Sequence, residues 1–173
     1  IVVGRDARVT GNLIKPILIN TLLFLGIDII DIDLASTPTV AISIPLEKAD
    51  GGIIISASHN LKEWNALKLL NKDGEFITSK DIIEVKRIFH NKDFNFSSID
   101  LLGKTIIKNN YLDIHIDLIL KSDYVYVDLI KSSKFKVVVD GINSVGGIAI
   151  PKLLKILGVE VIELFCDPNG EFK

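Results

Sequence analysis

The sequence predicts an α/β fold: a mixed sheet flanked by helices on both faces, with one domain over residues 1–108 and the opening of a similar second domain over 109–173. Three observations carry this. Short runs rich in Val and Ile alternate with segments of helical period, in the order strand, helix, strand, helix, strand. Each apolar run ends in small and polar residues, as at R-D-A-R, A-S-T-P and S-A-S-H-N. A hydrophobic content of 48% with 24% charged residues in 173 residues is enough to bury a core in one or two domains.

The first strand covers residues 1–4, and the loop G-R-D-A-R-V-T-G follows at 4–11. Arg5 and Arg8 are two of three arginines in the chain. A planar guanidinium is hard to replace where a bidentate contact to phosphate or carboxylate is needed, and a loop-shaping pair with Asp6 is the equal alternative. Thr10 is expected to cap a helix over 11–25, which Gly26 ends. A second strand over 27–34 alternates Asp31 and Asp33 with Ile30 and Ile32, which reads as a solvent-facing edge rather than a metal site. The loop A-S-T-P-T at 35–39 leads into a helix over 40–48.

Ile53, Ile54 and Ile55 then form a buried strand that delivers Ser58 to its end. In a doubly wound sheet ligands sit at the carboxyl ends of strands, so the loops at Arg5, Thr37 and Ser58 are expected to meet at one edge. Ser58 is flanked by His59 and Asn60, and Lys68 follows ten positions on. Successive N–H groups of such a turn make an anion-binding concavity and Lys68 adds a positive charge, a layout suited to phosphoryl chemistry. A polar loop that merely satisfies its own backbone is the simpler alternative. A hydrolase serine is disfavoured: His59, as an adjacent residue on extended backbone, points away from Ser58, and no G-x-S-x-G turn is present.

Beyond Lys68 a strand continues to residue 71, K-D-G-E turns at 72–75, and a helix over 79–90 ends near His90, followed by a polar loop at 91–98. A helix is expected over 111–130. Its Asp113 and Asp117 share a face from which His115 points away, so they read as a solvated surface, not as metal ligands. A strand over 135–139 runs into the glycine-rich D-G-I-N-S-V-G-G at 140–147, then a helix to 157, a strand over 159–165 and the turn D-P-N-G-E-F.

The net charge of -2 offers no electrostatic case for nucleic acid. No apolar run reaches the ~20 residues that cross a bilayer. The lone Cys166 excludes an internal disulfide. A cytoplasmic protein without nucleic-acid or membrane partners is expected. The chain opens inside a strand and contains no methionine, so it reads as a piece of a longer protein.

The motifs S-A-S-H-N at 56–60 and W-N-A-L-K at 64–68 resemble those of the α-D-phosphohexomutase family, whose T/S-A/G-S-H-N-P loop carries a phosphorylated serine followed by Y/D-N-G-x-K. Ser58 falls on the phosphoserine, while Leu61 stands where proline is usual and Ala66 where glycine is usual. The loops at 4–11, 35–39, 140–147 and 167–172 are similar to the family's G-R-D-x-R-x-S-G, T-P, D-x-x-N-G-x-G and P-D-G-x-F motifs. The resemblance thus covers most of the family's first domain and the start of its second, with wording at 64–76 most like bacterial phosphoglucosamine mutases or phosphomannomutases.

The resemblance implies a mutase that interconverts hexose 6-phosphate and hexose 1-phosphate through a phosphoserine and a hexose 1,6-bisphosphate. Glucosamine phosphate is the first choice of substrate; phosphomannomutase or phosphoglucomutase activity, and a non-catalytic sugar-phosphate binding paralogue, are the alternatives. It implies that phosphorylated Ser58 donates the phosphoryl group, that Lys68 and Arg5 neutralise its charge, and that His59 and Asn60 hold the loop or the sugar. It also implies one Mg²⁺, bound by the Ser58 phosphate and by three aspartates outside these residues, so this stretch alone is expected to be inactive.

Overall fold

The computed structural model describes residues 1–172. Strand β1 (Val2–Arg5) lies in the middle of a five-stranded sheet of order β4-β3-β1-β2-β5, with β2 (Ile29–Leu34), β3 (Gly52–Ile55), β4 (Leu67–Leu70) and β5 (Thr105–Ile107). All pairs are parallel except β3 with β4, so the sheet is mixed. Every residue of β1 and β3 is buried, as expected of central strands covered on both faces.

Helix α1 (Gly11–Phe24) packs Ile19 on Val3, Ile29 and Ile55 on one face. Helix α2 (Thr37–Leu46) packs Val40 and Ile44 on Val2, Ile32 and Ile54 on the other. Glycine sets how closely α2 docks: a Cβ at Gly4 would lie 2.5 Å from Val40 Cγ2, and one at Gly52 2.5 Å from Ile44 Cδ1. Helix α3 (Ser79–Asn91) opens on a capping box made by Thr78 and Asp81.

Helix α4 (Tyr111–Leu120) leads to α5 (Val127–Ser132), β6 (Lys136–Asp140), α6 (Gly146–Ile156) and β7 (Glu160–Leu164). Strands β6 and β7 form a separate parallel pair. α4 lies between the two units: His115 hydrogen-bonds Thr39 of α2, and Asp113 pairs with Lys152 of α6.

Several expectations change. The helix expected over 111–130 is two helices. Ser122 Oγ accepts from Tyr124 N at 3.4 Å, a local bond that competes with the helical ladder. Thr10 does not cap α1 with its side chain; its hydroxyl accepts from Asn65 Nδ2 at 3.0 Å. α2 starts earlier than expected, at Thr37, because Ser36 Oγ accepts from Thr39 N and Pro38 fits the first turn. Asp31 is not solvent-facing: it is 6% exposed, whereas Asp33 is partly exposed, and both bind Lys15 Nζ, at 2.8 and 2.7 Å. β5 was not expected at all; its three residues are exposed on an edge and lack an alternating pattern.

Candidate active site

The loops after β1 and β3 and the start of α2 meet at the carboxyl ends of the parallel strands, as anticipated. Asp6, Ser36, Thr37, Ser56 and Ser58 line one cleft of 360 Å³, closed on its far side by the turn that follows β6. An adjoining cavity of 410 Å³ is lined by residues 58–63 with Ile142 and Phe172. Ser58 belongs to both and is exposed.

Ser58 is held with φ of 56°. A non-glycine residue there carries strain that the surroundings must offset. The offset comes from Arg8, which is 1% exposed and about which the loop is wrapped. Its Nη1 donates to the carbonyls of Leu61 and Trp64, both at 2.7 Å, and its Nη2 to those of Ser58 at 3.0 Å and Asn60 at 2.6 Å. Nε donates to Asp6 Oδ2 at 3.3 Å, so all five N–H donors of the guanidinium are used. Phe172 stacks on the same group, 4.9 Å from ring centroid to Cζ.

The carbonyl directions have a chemical consequence. In a trans peptide the C=O of one residue and the N–H of the next point opposite ways. Carbonyls of Ser58, Asn60 and Leu61 aimed at Arg8 therefore turn the N–H groups of His59, Leu61 and Lys62 away from it, and none of these has a protein acceptor among the described residues. Outward N–H groups without protein acceptors thus flank an exposed serine hydroxyl.

The second unit completes the wall. Buried Asn143 donates from Nδ2 to Glu171 O at 2.8 Å and accepts from Gly170 N at 3.0 Å. Gly170 has φ of +76°, and a Cβ there would meet Ala7 O at 2.2 Å. The turn at 167–172 thus packs directly on the Arg5–Arg8 loop and carries Phe172 to the guanidinium.

His59 and Asn60 line the cavity with Ser58, and neither side chain bonds to it. Lys68 stands opposite Ile54 in the antiparallel β3–β4 pair. Opposed residues share a face, so Lys68 rises on the side where Ile54 lines the cleft, and its side chain has no ion pair or hydrogen bond among the described residues. Arg5 is not brought to Ser58. It is 8% exposed, its Nε donates to Asp33 Oδ1 at 2.9 Å, and its Nη1 donates to Asp6 O at 3.2 Å. Burial alone would raise the Asp33 carboxyl, but its hydrogen bond to Lys15 and the charge of Arg5 hold it below the usual carboxylate range. Arg8, not Arg5, is the arginine that shapes the serine loop. Two arginines in one short loop were the available signal; which one reaches Ser58 depends on the chain's path. Asn143 and Phe172 were legible only as parts of turns.

Among the described residues no group of three or more His, Cys, Asp or Glu side chains converges on a point. These residues do not by themselves form a divalent-cation cage.

Residues 1–96 match the family model described as phosphoglucomutase/phosphomannomutase, alpha/beta/alpha domain I, and residues 113–173 match domain II of the same family. The chain belongs to the phosphoglucomutase/phosphomannomutase family. It is 36% identical over 172 residues to a phosphoglucomutase/phosphomannomutase of Thermococcus kodakarensis, covering 99% of this chain and 37% of the relative. It is 35% identical over 176 residues to a phosphoglucosamine mutase of Methanococcus maripaludis, covering 99% of this chain and 36% of that one. A crystal structure of a phosphoglucomutase/phosphomannomutase family protein from Burkholderia thailandensis superposes with a TM-score of 0.76 at 26% identity, covering 99% of this chain and 36% of that one. The chain therefore spans little more than a third of these relatives.

Proposed function

We propose that the whole protein is a phosphohexose mutase in which Ser58 carries the transferred phosphoryl group. The observation that carries this reading is the serine loop itself: an exposed hydroxyl on a strained turn, wrapped around a buried guanidinium, with neighbouring N–H groups turned away from it and without protein acceptors. In the proposed cycle a sugar hydroxyl attacks phosphorus, the bond from phosphorus to Ser58 Oγ breaks, and the oxygen left on Ser58 regains a proton. The resulting hexose 1,6-bisphosphate turns over, and its other phosphoryl group returns to Ser58, so one hexose phosphate isomer becomes the other. His59, Leu61 and Lys62 N–H groups and Lys68 stabilise the charge on the transferred oxygens, and Asn60 with the His59 side chain borders the sugar. Arg5 acts one step back, by holding Asp33 and the loop. A divalent cation such as Mg²⁺, if held by a phosphate on Ser58 together with groups outside these residues, would supply further charge neutralisation.

Relatives named for glucosamine, glucose and mannose phosphates support this substrate class, and glucosamine 6-phosphate is the substrate proposed first. A cytoplasmic setting and a domain division at 108/109 belong to the same reading; no helix among the described residues is long and apolar enough to cross a membrane.

Peptide mass spectrometry of the full-length protein tests it. Phosphate on Ser58 that disappears on adding a hexose 6-phosphate with Mg²⁺, and is absent from Ser58→Ala, supports the mutase. A Ser58 that carries no phosphate and accepts none from a hexose 1,6-bisphosphate refutes it and favours a non-catalytic sugar-phosphate binding protein.

A further inference from the structure

A chain of side chains links the second unit to the cleft wall. His115 Nδ1, on α4, lies 2.9 Å from Thr39 Oγ1, which lies 2.7 Å from Ser36 Oγ. Ser36 Oγ also accepts from Thr39 N at 3.3 Å, and Ser36 and Thr37 line the cleft that holds Ser58. Thr39 is fully buried, and among the described residues its hydroxyl has only these partners. His115 is half-buried, and burial lowers its pKa, which keeps the ring neutral near pH 7. Charged groups on and beside the packed elements are engaged elsewhere: Asp113 with Lys152, and Glu47 with Lys108 and Tyr111. α2 itself holds no charged residue, and Asp117 lies on His115's own helix.

A row of hydroxyls between a neutral imidazole and a cleft has two proton arrangements. In one, Thr39 O–H donates to His115 Nδ1 and Ser36 O–H donates to Thr39 Oγ1, so Ser36 offers the cleft no donor. In the other, His115 carries the proton on Nδ1 and donates to Thr39, Thr39 donates to Ser36, and Ser36 O–H faces the cleft. An anion in the cleft is favoured by the second arrangement alone.

We propose that His115 is a positioning residue that, through Thr39, turns the Ser36 hydroxyl toward a phosphorylated ligand in the cleft. Occupancy of the cleft is thereby coupled to which ring nitrogen of His115 bears the proton, and the coupling is reciprocal. The inference rests on the sugar-phosphate reading for the ligand, but the wiring is a property of the fold.

The test uses full-length protein with ¹⁵N-labelled histidine. Without ligand, the His115 Nδ1 resonance is expected in the unprotonated range, moving toward the protonated range on titration with inorganic phosphate. Thr39→Ser keeps that response; Thr39→Val abolishes it. Removing one hydrogen bond from a coupled chain is expected to weaken phosphate binding by roughly three- to tenfold. The same factor is expected in KM for the hexose phosphate, with kcat little changed, for Thr39→Val and His115→Leu. The double variant is no worse than the weaker single one, and His115→Asn, which keeps a polar atom near the Nδ1 position, recovers most of the loss. A His115 resonance indifferent to bound phosphate, or additive losses in Thr39→Val and His115→Leu, overturns the proposal. Phosphate binding that moves His115 in a protein with no mutase turnover upholds it and defeats the mutase reading instead. Failure of phosphate and hexose phosphates to bind at all overturns both.

Discussion

Replacing Arg8 by Met keeps the apolar stem and removes all five donors at once. The four loop carbonyls are on exposed residues and can turn to water, so most of their loss is recovered in the unfolded and loosened states. Two terms remain. Asp6, with a side chain 15% exposed, is left without its charged partner, and the strained conformation at Ser58 loses the contacts that hold it. Breaking a buried pair on one side costs about 3–5 kcal/mol, against a total domain stability of roughly 5–15 kcal/mol. The loop can release that cost locally by opening. The expected outcome is therefore a lower urea midpoint together with faster hydrogen exchange at the amides of Asn60 and Trp64, which donate to Ala57 O and Leu61 O inside the wrapped turn. Arg8→Lys keeps the charge but cannot reach four diverging carbonyls, and should recover less than half of the effect. Phosphate occupancy of Ser58 should fall in both. If Arg8→Met leaves those two amides as protected as before and changes stability by less than about 0.5 kcal/mol, the guanidinium does not organise the loop and the argument fails.

Gly170→Ala is expected to lower the melting temperature and to raise exchange at the Arg5–Arg8 loop, because the added carbon meets Ala7 O in a positive-φ position; an unchanged melting temperature would show that the turn does not dock. Asp33 has a depressed folded pKa, so its contribution is present above the unfolded value of about 3.9 and is lost as pH falls through the folded value. Asp33→Asn should destabilise at pH 7 and converge on the parent protein in acid; a constant offset at every pH would contradict the ion-pair account. Tyr111→Phe removes the hydroxyl that donates to Glu47 and, by the usual worth of a hydrogen bond to a charged group, should cost about 1.5–3 kcal/mol in urea denaturation, with Lys108 still holding Glu47.

Much of the fold could be read from local pattern. The continuous Ile run at 53–55 could only be a covered strand, the spacing at 11–24 only a helix with an apolar side, and the change from one to the other sets an α/β order. The loops at Arg5, Thr37 and Ser58 could be placed at one edge because parallel strands end on the same side. The break in the helix over 111–130 was hidden because the turn between α4 and α5, which includes the bond from Tyr124 N to Ser122 Oγ, contains no Gly or Pro to mark it. β5 was hidden because an edge strand of three exposed residues needs no pattern of its own when β2 supplies the partner.

Apart from β5 and the break between α4 and α5, sequence by itself determined the elements, their order and the chemistry on offer: a serine at a strand end, small residues around it, and two nearby arginines. Only the tertiary structure decided which arginine serves the serine. Arg5 belongs to β1, where side chains alternate, and it points to Asp33, which Lys15 also holds; Arg8 has left the strand, and its fork lies inside the loop 50 residues away along the chain. The same holds for Asn143, Phe172 and His115, whose partners are Glu171, Arg8 and Thr39. Periodicity reports which side of an element is buried, because burial is a local and non-directional demand. Hydrogen bonds depend on distance and angle between groups far apart in the chain, and these exist only once the chain has closed on itself.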